Sequence, residues 1–185
     1  LREPDKRYRA LRDKLGGGGT LDTTVGLDEL LREFTDRDIE SLKREYSGLF
    51  EVGSEGPPCP IREDLQTGQR KGTREDLVRF YAYFNYVLDE KFAWAPDHLA
   101  VELEFMHFLC YHEASAGEDA TSYQLAQVDF SERHLVRWVP ELAASVARAA
   151  PDSIYRRVIE VIDRYLAADL AWQRGTISAE AAGRQ

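Results

Sequence analysis

Residues 96–112 have the sequence PDHLAVELEFMHFLCYH. The stretch begins with a proline followed by Asp97 and His98, and apolar residues then recur at helical spacing. It contains three of the four histidines and one of the two cysteines. Three explanations fit so many titratable groups in an apolar periodic segment: a metal site, a catalytic site, or a buried polar joint that shapes a binding surface.

The remaining chain has the composition of one globular helical domain. It has 185 residues, 43% of them hydrophobic, which suffices for a single core without disulfides or metal. No segment shows sustained two-residue alternation, so we predict an all-α single-domain bundle of about seven helices over residues 27–175. Residues 1–26, which include four consecutive glycines at 16–19, are predicted to be a flexible N-terminal extension, and residues 176–185 a C-terminal tail.

Local signals give the expected helix boundaries. A first helix begins near Leu27, and Thr35 to Asp38 resembles the N-terminus of a second. The loop GSEGPPCP at 53–60 is followed by a charged stretch at 61–74, which predicts an exposed connection.

Later boundaries follow from the same signals. Thr73 is the expected cap of a helix that extends to about Lys91. Two further helices are expected to start at Ser131 and Pro151, and the second of them is expected to end by Gly175.

The charge distribution limits the partners. A net charge of −9 argues against nucleic acid, because phosphate binding needs a basic face. Between residues 87 and 129 there are nine acidic residues and one lysine. This is either a solvated acidic face or a surface that attracts a basic peptide. With neither a membrane-span signal nor a signal-peptide pattern, the expected location is the cytoplasm.

Aromatic residues concentrate in one segment. Five rings lie within seven residues, 80–86, and Trp94 follows shortly after. They are either ordinary core aromatics or the lining of a groove for an apolar peptide.

The signals for metal binding and catalysis are weak. Glu104 and His107 form one Glu-x-x-His unit, whereas a di-iron bundle needs two and further glutamates. His107, Cys110 and His112 do not converge on one point of a helix, and no second Cys/His pair completes a zinc site. Nucleophile-elbow and glycine-rich phosphate motifs are absent. The sequence therefore predicts no metal, no cofactor of its own and no catalytic residue.

The start of the quoted stretch fits a structural role better. Asp97 is positioned to cap the following helix, and Glu102 lies one turn beyond His98, so the two are expected to pair. These three residues would form a polar joint between two helical layers.

Three blocks of sequence resemble the TorD/DmsD/NarJ family of molybdoenzyme maturation chaperones. The blocks are GPPCP at 56–60 followed by Glu63, PDHLAVELEFM at 96–106, and Phe130 to Trp138 before a long last helix. The similarity covers about residues 39–172 in matching order and spacing. The resemblance implies an all-helical, non-enzymatic chaperone in the cytoplasm. Such a chaperone binds the precursor of a molybdenum oxidoreductase, often through its twin-arginine signal peptide, until molybdopterin guanine dinucleotide is inserted into that client.

The resemblance also assigns residues. The family's Asp-His pair falls on Asp97 and His98, its Tyr-x-x-Leu-Phe on Tyr46 to Phe50, and its proline loop on Pro57 and Pro58. Together with the aromatic segment, the predicted peptide-binding residues are Asp97, His98, Trp94, Pro96, Glu102, Tyr46, Phe50, Pro57, Pro58, Phe80, Tyr81 and Phe84.

Two other classes remain open: a permanent accessory subunit of an oxidoreductase and, less favoured, a metal-binding helical-bundle enzyme. The proline loop favours chaperones of the dimethylsulfide, ethylbenzene, chlorate and selenate enzyme group. The sequence does not decide between a monomer and a dimer.

Overall fold

The computed structural model describes residues 24–54, 56–68, 72–90, 92–117 and 120–183, with side chains described between residues 29 and 177. In these ranges the chain forms eight helices and no strand, which confirms the all-α prediction. Most of residues 1–26 lie outside the described residues. The helices are α1 (Thr24–Asp36), α2 (Ile39–Phe50), α3 (Glu63–Gln66), α4 (Thr73–Tyr83), α5 (Leu99–Glu113), α6 (Ala120–Arg133), α7 (Leu135–Ala149) and α8 (Ile154–Gly183).

The long helix α8 organises the packing. It lies against α7, α6 and α1, and α5 packs along α6. Trp138, Phe105 and Phe130 are fully buried at the centre of the main core. A smaller cluster of Leu30, Leu42 and Ile154 joins α1 and α2 to the start of α8.

The aromatic helix α4 is shorter than predicted. It ends at Tyr83 instead of near Lys91, because Asn85 adopts φ 53° and the chain reverses. Tyr86 N–H donates to Tyr81 O at 2.8 Å and Asn85 N–H donates to Ala82 O at 3.1 Å. This is a Schellman motif with asparagine in the left-handed position. Its first residue is also Thr73 and not Arg74, so the predicted cap moves to Gly72.

Three other boundaries differ from the prediction. Residues 63–66 form the helix α3 with buried acidic side chains, where an exposed connection was expected. Ser131 lies inside α6, and the break comes at His134. The last helix, α8, begins at Ile154 instead of Pro151, and Ser153 caps it: Tyr155 N–H donates to Ser153 Oγ at 3.0 Å.

One cap fits the sequence signal, and one helix end does not. Asp38 caps α2, with Ser41 N–H donating to Oδ2 at 2.8 Å. The last helix, however, continues to Gly183, past the predicted end at Gly175. None of the helices in the described ranges is long and apolar enough to cross a membrane.

Tyr155 joins three helices. Its ring contacts Phe34 of α1 and both Tyr46 and Phe50 of α2, with centroid distances of 5.6–5.9 Å. Its hydroxyl donates to Leu42 O at 3.0 Å.

We therefore expect Tyr155→Ala to lower the free energy of unfolding by about 2–3 kcal/mol, because the half-buried ring fills the space between α1, α2 and α8. Tyr155→Phe should cost only about 1 kcal/mol for the lost hydrogen bond. Urea denaturation measures both values, and Tyr111→Ala, at an exposed position of α5, is the control. Equal losses for the Ala and Phe variants would contradict the packing role.

Candidate functional site

Main-chain hydrogen bonds fix the proline loop against the segment that precedes α5. Glu63 N–H donates to Asp97 O at 2.9 Å, and Leu99 N–H donates to Ile61 O at 3.1 Å. On its other side the loop is tied to α2, where Cys59 N–H donates to Leu49 O at 2.9 Å. Two of the sequence blocks that define the candidate site therefore meet in space.

A buried ion pair occupies this junction. Asp97 is fully buried, and its oxygens lie 3.2–3.4 Å from Nε and Nη2 of Arg62. Asp64 N–H also donates to Asp97 Oδ2 at 3.2 Å, and Arg62 Nη2 donates to the Asp64 carboxylate at 2.9 Å. Arg62 and Asp64 carry this interaction, and neither was among the predicted site residues.

The two carboxylates of the junction differ in pKa. Burial, together with the hydrogen bond and charge of Asp97, raises the pKa of Asp64 to about 6. Burial also acts against ionisation of Asp97, but the hydrogen bonds from Asp64 and the charge of Arg62 lower the pKa of Asp97 below its usual value. Asp97 is therefore the ionised partner of Arg62.

His98, rather than Asp97, caps α5. Its Nδ1 accepts a hydrogen bond from Ala100 N–H at 3.1 Å, which leaves Nε2 as the protonated ring nitrogen. Burial lowers the pKa of His98 despite the charge of Asp97, so the ring is neutral at neutral pH. The prediction that Asp97 caps this helix was wrong, because its carboxylate is engaged by Arg62.

The expected pair of His98 and Glu102 is also not formed. Glu102 is fully buried and accepts a hydrogen bond from Trp138 Nε1 at 3.0 Å. Burial, and then the charge of Glu63, raise the pKa of Glu102 well above its usual value. Glu63 in turn lies 2.9 Å from Nδ1 of the buried His134. The third sequence block thus joins the same polar interior.

An exposed surface covers this buried junction. Trp94 is 63% exposed, and the guanidinium of Arg62 lies 5.7 Å from its ring centroid. The main-chain oxygen of Trp94 accepts a hydrogen bond from Arg74. The Phe92 ring lies 6.2 Å from the half-buried His98 ring. The sequence prediction omitted Phe92, although it is an aromatic residue two positions before Trp94.

A groove of about 420 Å³ lies along α2, and its lining includes Ile39, Tyr46, Glu51 and Tyr155. Glu51 is close enough to His98 and Tyr46 for its charge to raise the pKa of both groups, although burial dominates each shift. We call Tyr46, Glu51, Phe92, Trp94 and His98 together the recognition surface.

The other predicted binding residues are divided between loop, core and a different face. Pro58 is exposed and Pro57 half-buried in the loop. Five of the predicted residues have buried side chains, away from the surface of this structure: Phe50, Tyr81, Pro96, Asp97 and Glu102. Their part in peptide binding stays a prediction. Phe80 and Phe84 pack on Phe105 of the core and line a separate groove beside α6.

The acidic stretch at 87–129 is also less exposed than its composition indicates. Asp97 and Glu102 are buried, and half-buried Glu113 accepts hydrogen bonds from Gln124 and Gln127 at 2.7–2.8 Å. No group of three His, Cys, Asp or Glu side chains in the described part of the chain could hold a metal ion.

Comparisons with known proteins agree with an all-helical maturation protein. A redox enzyme maturation protein from Archaeoglobus fulgidus, so described from its crystal structure, matches with a TM-score of 0.51 and 27% identity over 90% of this chain and 86% of that one. The family model of the nitrate reductase delta subunit matches residues 19–144. The chain belongs to this family, which confirms the resemblance to TorD and NarJ.

Curated relatives agree with this family. The chain is 39% identical to the chlorate reductase assembly chaperone protein of Ideonella dechloratans over 55% of both chains. It is 37% identical to the selenate reductase assembly chaperone protein of Thauera selenatis over 63% of this chain and 62% of that protein. The chain spans about 55–62% of the length of these relatives. They are named as assembly chaperones and not as enzymes, in agreement with the prediction of a non-catalytic chain.

Asp97→Ala should lower the free energy of unfolding by about 2–3 kcal/mol, because it removes one of the two buried carboxylates that pair with Arg62 and the acceptor of the Asp64 N–H. Asp97→Asn should cost less, since one amide oxygen can still accept a hydrogen bond. Urea denaturation at pH 7 measures the loss, with exposed Asp36→Ala as control. A loss below about 1 kcal/mol for Asp97→Ala would show that the junction does not depend on this pair.

Glu102→Gln should change how stability depends on pH. The raised pKa of Glu102 means that the folded state holds its proton to higher pH than the unfolded state does. The stability from this group is therefore complete below the unfolded pKa and is lost as pH rises through the folded pKa. A glutamine at this position keeps an oxygen that accepts the Trp138 N–H, and because it does not ionise, stability is not lost as the pH rises.

The gain in unfolding free energy of Glu102→Gln over the parent chain should accordingly grow between pH 5 and pH 8. Each unit of pKa shift contributes about 1.4 kcal/mol. Exposed Glu141→Gln on α7 is the control. Parallel stability curves for the Glu102→Gln variant and the parent chain would show that Glu102 ionises normally in the fold.

Proposed function

We propose that the protein is a cytoplasmic assembly chaperone that binds the precursor of a molybdenum oxidoreductase catalytic subunit. It would recognise the twin-arginine signal peptide of that precursor and hold the subunit until molybdopterin guanine dinucleotide is inserted. The chlorate, selenate and perchlorate reductase assembly chaperones at 35–39% identity support the chaperone role. They also agree with the enzyme group that the proline loop favours.

The observation that carries the peptide-binding role is the exposed Trp94 on the segment that leads to His98, with the charge of Glu51 within electrostatic reach of His98. A tryptophan that is 63% exposed gives a large rigid contact area, and the Glu51 carboxylate offers a negative charge near His98. The apolar groove at Tyr46 begins at the same glutamate. An acidic group beside an aromatic and an apolar groove is complementary to a basic pair followed by an apolar stretch.

The buried pair beneath gives this surface a fixed shape. Arg62 contacts both the ring of Trp94 and the carboxylate of Asp97. The backbone that carries Trp94 and His98 is thereby held in place before a peptide arrives, which reduces the entropic cost of binding.

A permanent accessory subunit is the second candidate. The name of the matching family model, nitrate reductase delta subunit, favours it. Co-purification with the mature oxidoreductase distinguishes the two, because a chaperone leaves the finished enzyme whereas a subunit remains at fixed stoichiometry.

Trp94→Ala should weaken binding of a synthetic peptide, two adjacent arginines followed by an apolar stretch, by at least about fivefold. Glu51→Gln should weaken it less and reduce its salt dependence, because an exposed charge acts through a screened field. Isothermal titration calorimetry at two salt concentrations measures both effects.

Trp172→Ala, at another exposed tryptophan on α8, is the matched control and should leave the affinity unchanged. Equal affinities of the Trp94→Ala variant and the parent chain would rule out the recognition surface as the peptide site.

A further inference from the structure

A second surface lies between α4 and α6, apart from the recognition surface. An apolar groove of about 390 Å³ and a polar hollow of about 640 Å³ share Asp76, Arg79 and Arg133 in their walls. The two are therefore continuous. We call them together the α4–α6 surface.

The groove is lined by residues that recur at helical spacing on α4 and α6. On α4 it is lined by Asp76, Arg79, Phe80 and Tyr83, which are three or four residues apart and so share one face. On α6 the lining residues between Ser122 and Arg133 follow the same spacing.

The floor of the groove is rigid and its walls are apolar. Phe80 packs on the buried Phe130 at 5.3 Å between ring centroids, and Phe84 packs on Tyr123 at 5.6 Å. Tyr83 is 80% exposed and Leu125 is 52% exposed at the rim. The groove thus offers aromatic and aliphatic contact area that the described part of the chain does not cover.

The carboxylates of this surface form hydrogen bonds or ion pairs with other groups of the protein. Glu63 lies 2.9 Å from His134 Nδ1, and Glu75 accepts a hydrogen bond from Gly72 N–H at 2.9 Å. Asp76 and Asp129 both pair with Arg133, which also lies over the Phe80 ring at 5.0 Å.

Two exposed arginines of this surface lack such partners among the described residues. Within the described residues, the side chains of Arg79 and Arg137 form no hydrogen bond and no ion pair, and Arg79 acts only through its charge on the nearby Glu75. Arg79 and Arg137 are therefore the charged groups of this surface without a hydrogen-bonded partner among the described residues, and guanidinium donors are suited to carboxylates.

We propose that the α4–α6 surface binds an acidic segment of a partner protein, one in which Asp or Glu residues flank an aromatic or aliphatic side chain. The apolar side chain lies in the groove between α4 and α6, and the carboxylates contact Arg79 and Arg137. A phosphate ion alone would leave the apolar half of the surface unused, so the combination favours a peptide. The proposal is independent of the recognition surface, whose partner carries the opposite charge.

Selection from a phage-displayed library of random 12-residue peptides tests this surface. Peptides are selected on the full chain and counter-selected on the Arg79→Gln, Arg137→Gln double variant. We expect the enriched peptides to carry several Asp or Glu residues next to Phe, Trp or Leu. Enrichment of neutral or basic peptides alone would overturn the proposal.

Synthetic copies of the enriched peptides then give affinities by fluorescence anisotropy. The Arg79→Gln, Arg137→Gln variant should bind at least about fivefold more weakly, since it removes two charge-assisted contacts with carboxylates. Tyr83→Ser with Leu125→Ser should weaken binding at least as much. Arg32→Gln with Arg44→Gln changes the net charge equally at exposed positions of α1 and α2, and should bind within twofold of the parent chain.

Circular dichroism and thermal unfolding establish that each variant is folded. Equal affinity of the Arg79→Gln, Arg137→Gln variant and the parent chain would overturn the proposal. Recovery of no peptide, with inorganic pyrophosphate bound by the parent chain and lost in that variant, would overturn it in favour of a phosphate ligand.

Discussion

The buried ion pair of Arg62 and Asp97 is the interaction on which the rest of the site depends. It joins two chain segments that are 35 residues apart, and main-chain hydrogen bonds of Glu63 and Leu99 close the junction on either side. An uncompensated carboxylate at a fully buried position would cost several kcal/mol, so the fold tolerates Asp97 only with its partner in place. The pair also fixes the exposed residues above it, because Arg62 contacts the ring of Trp94 and Asp97 precedes the helix cap His98.

Beneath this pair the interior is unusually rich in acids. Glu63, Asp64 and Glu102 are all buried, and the raised pKa values of Asp64 and Glu102 show that the fold resists a charge on these two. A set of apolar side chains of similar volume would be at least as stable. The polar set has a different effect, because hydrogen bonds from Trp138 to Glu102 and between Glu63 and His134 are satisfied in only one arrangement of α3, α5 and α7. The joint thus determines how these helices meet.

Local patterns in the sequence predicted most of the fold but less of the site. Helical periodicity identified the all-α class, and Asp38 was recognisable as a cap because it acts within its own turn. The early end of α4 was not predicted, because the apolar residues continue at helical spacing past Asn85. The helix ends there because Asn85 adopts a left-handed conformation. Residues 63–66 were predicted to be exposed because the partners that bury them lie far along the chain: the Glu63 carboxylate contacts His134, and the Asp64 main-chain N–H donates to Asp97. Such pairing cannot be predicted from composition alone.

The same buried groups connect the two surfaces. Glu63 donates its main-chain N–H to Asp97 below the recognition surface, and its carboxylate lies against His134. The other ring nitrogen of His134 lies 3.4 Å from Asp76, which pairs with Arg133 in the wall of the α4–α6 surface. Glu63, His134 and Asp76 thus form a chain of contacts from the segment below the recognition surface to the wall of the α4–α6 surface. The polar joint that fixes the exposed residues of the first surface therefore also supports one wall of the second.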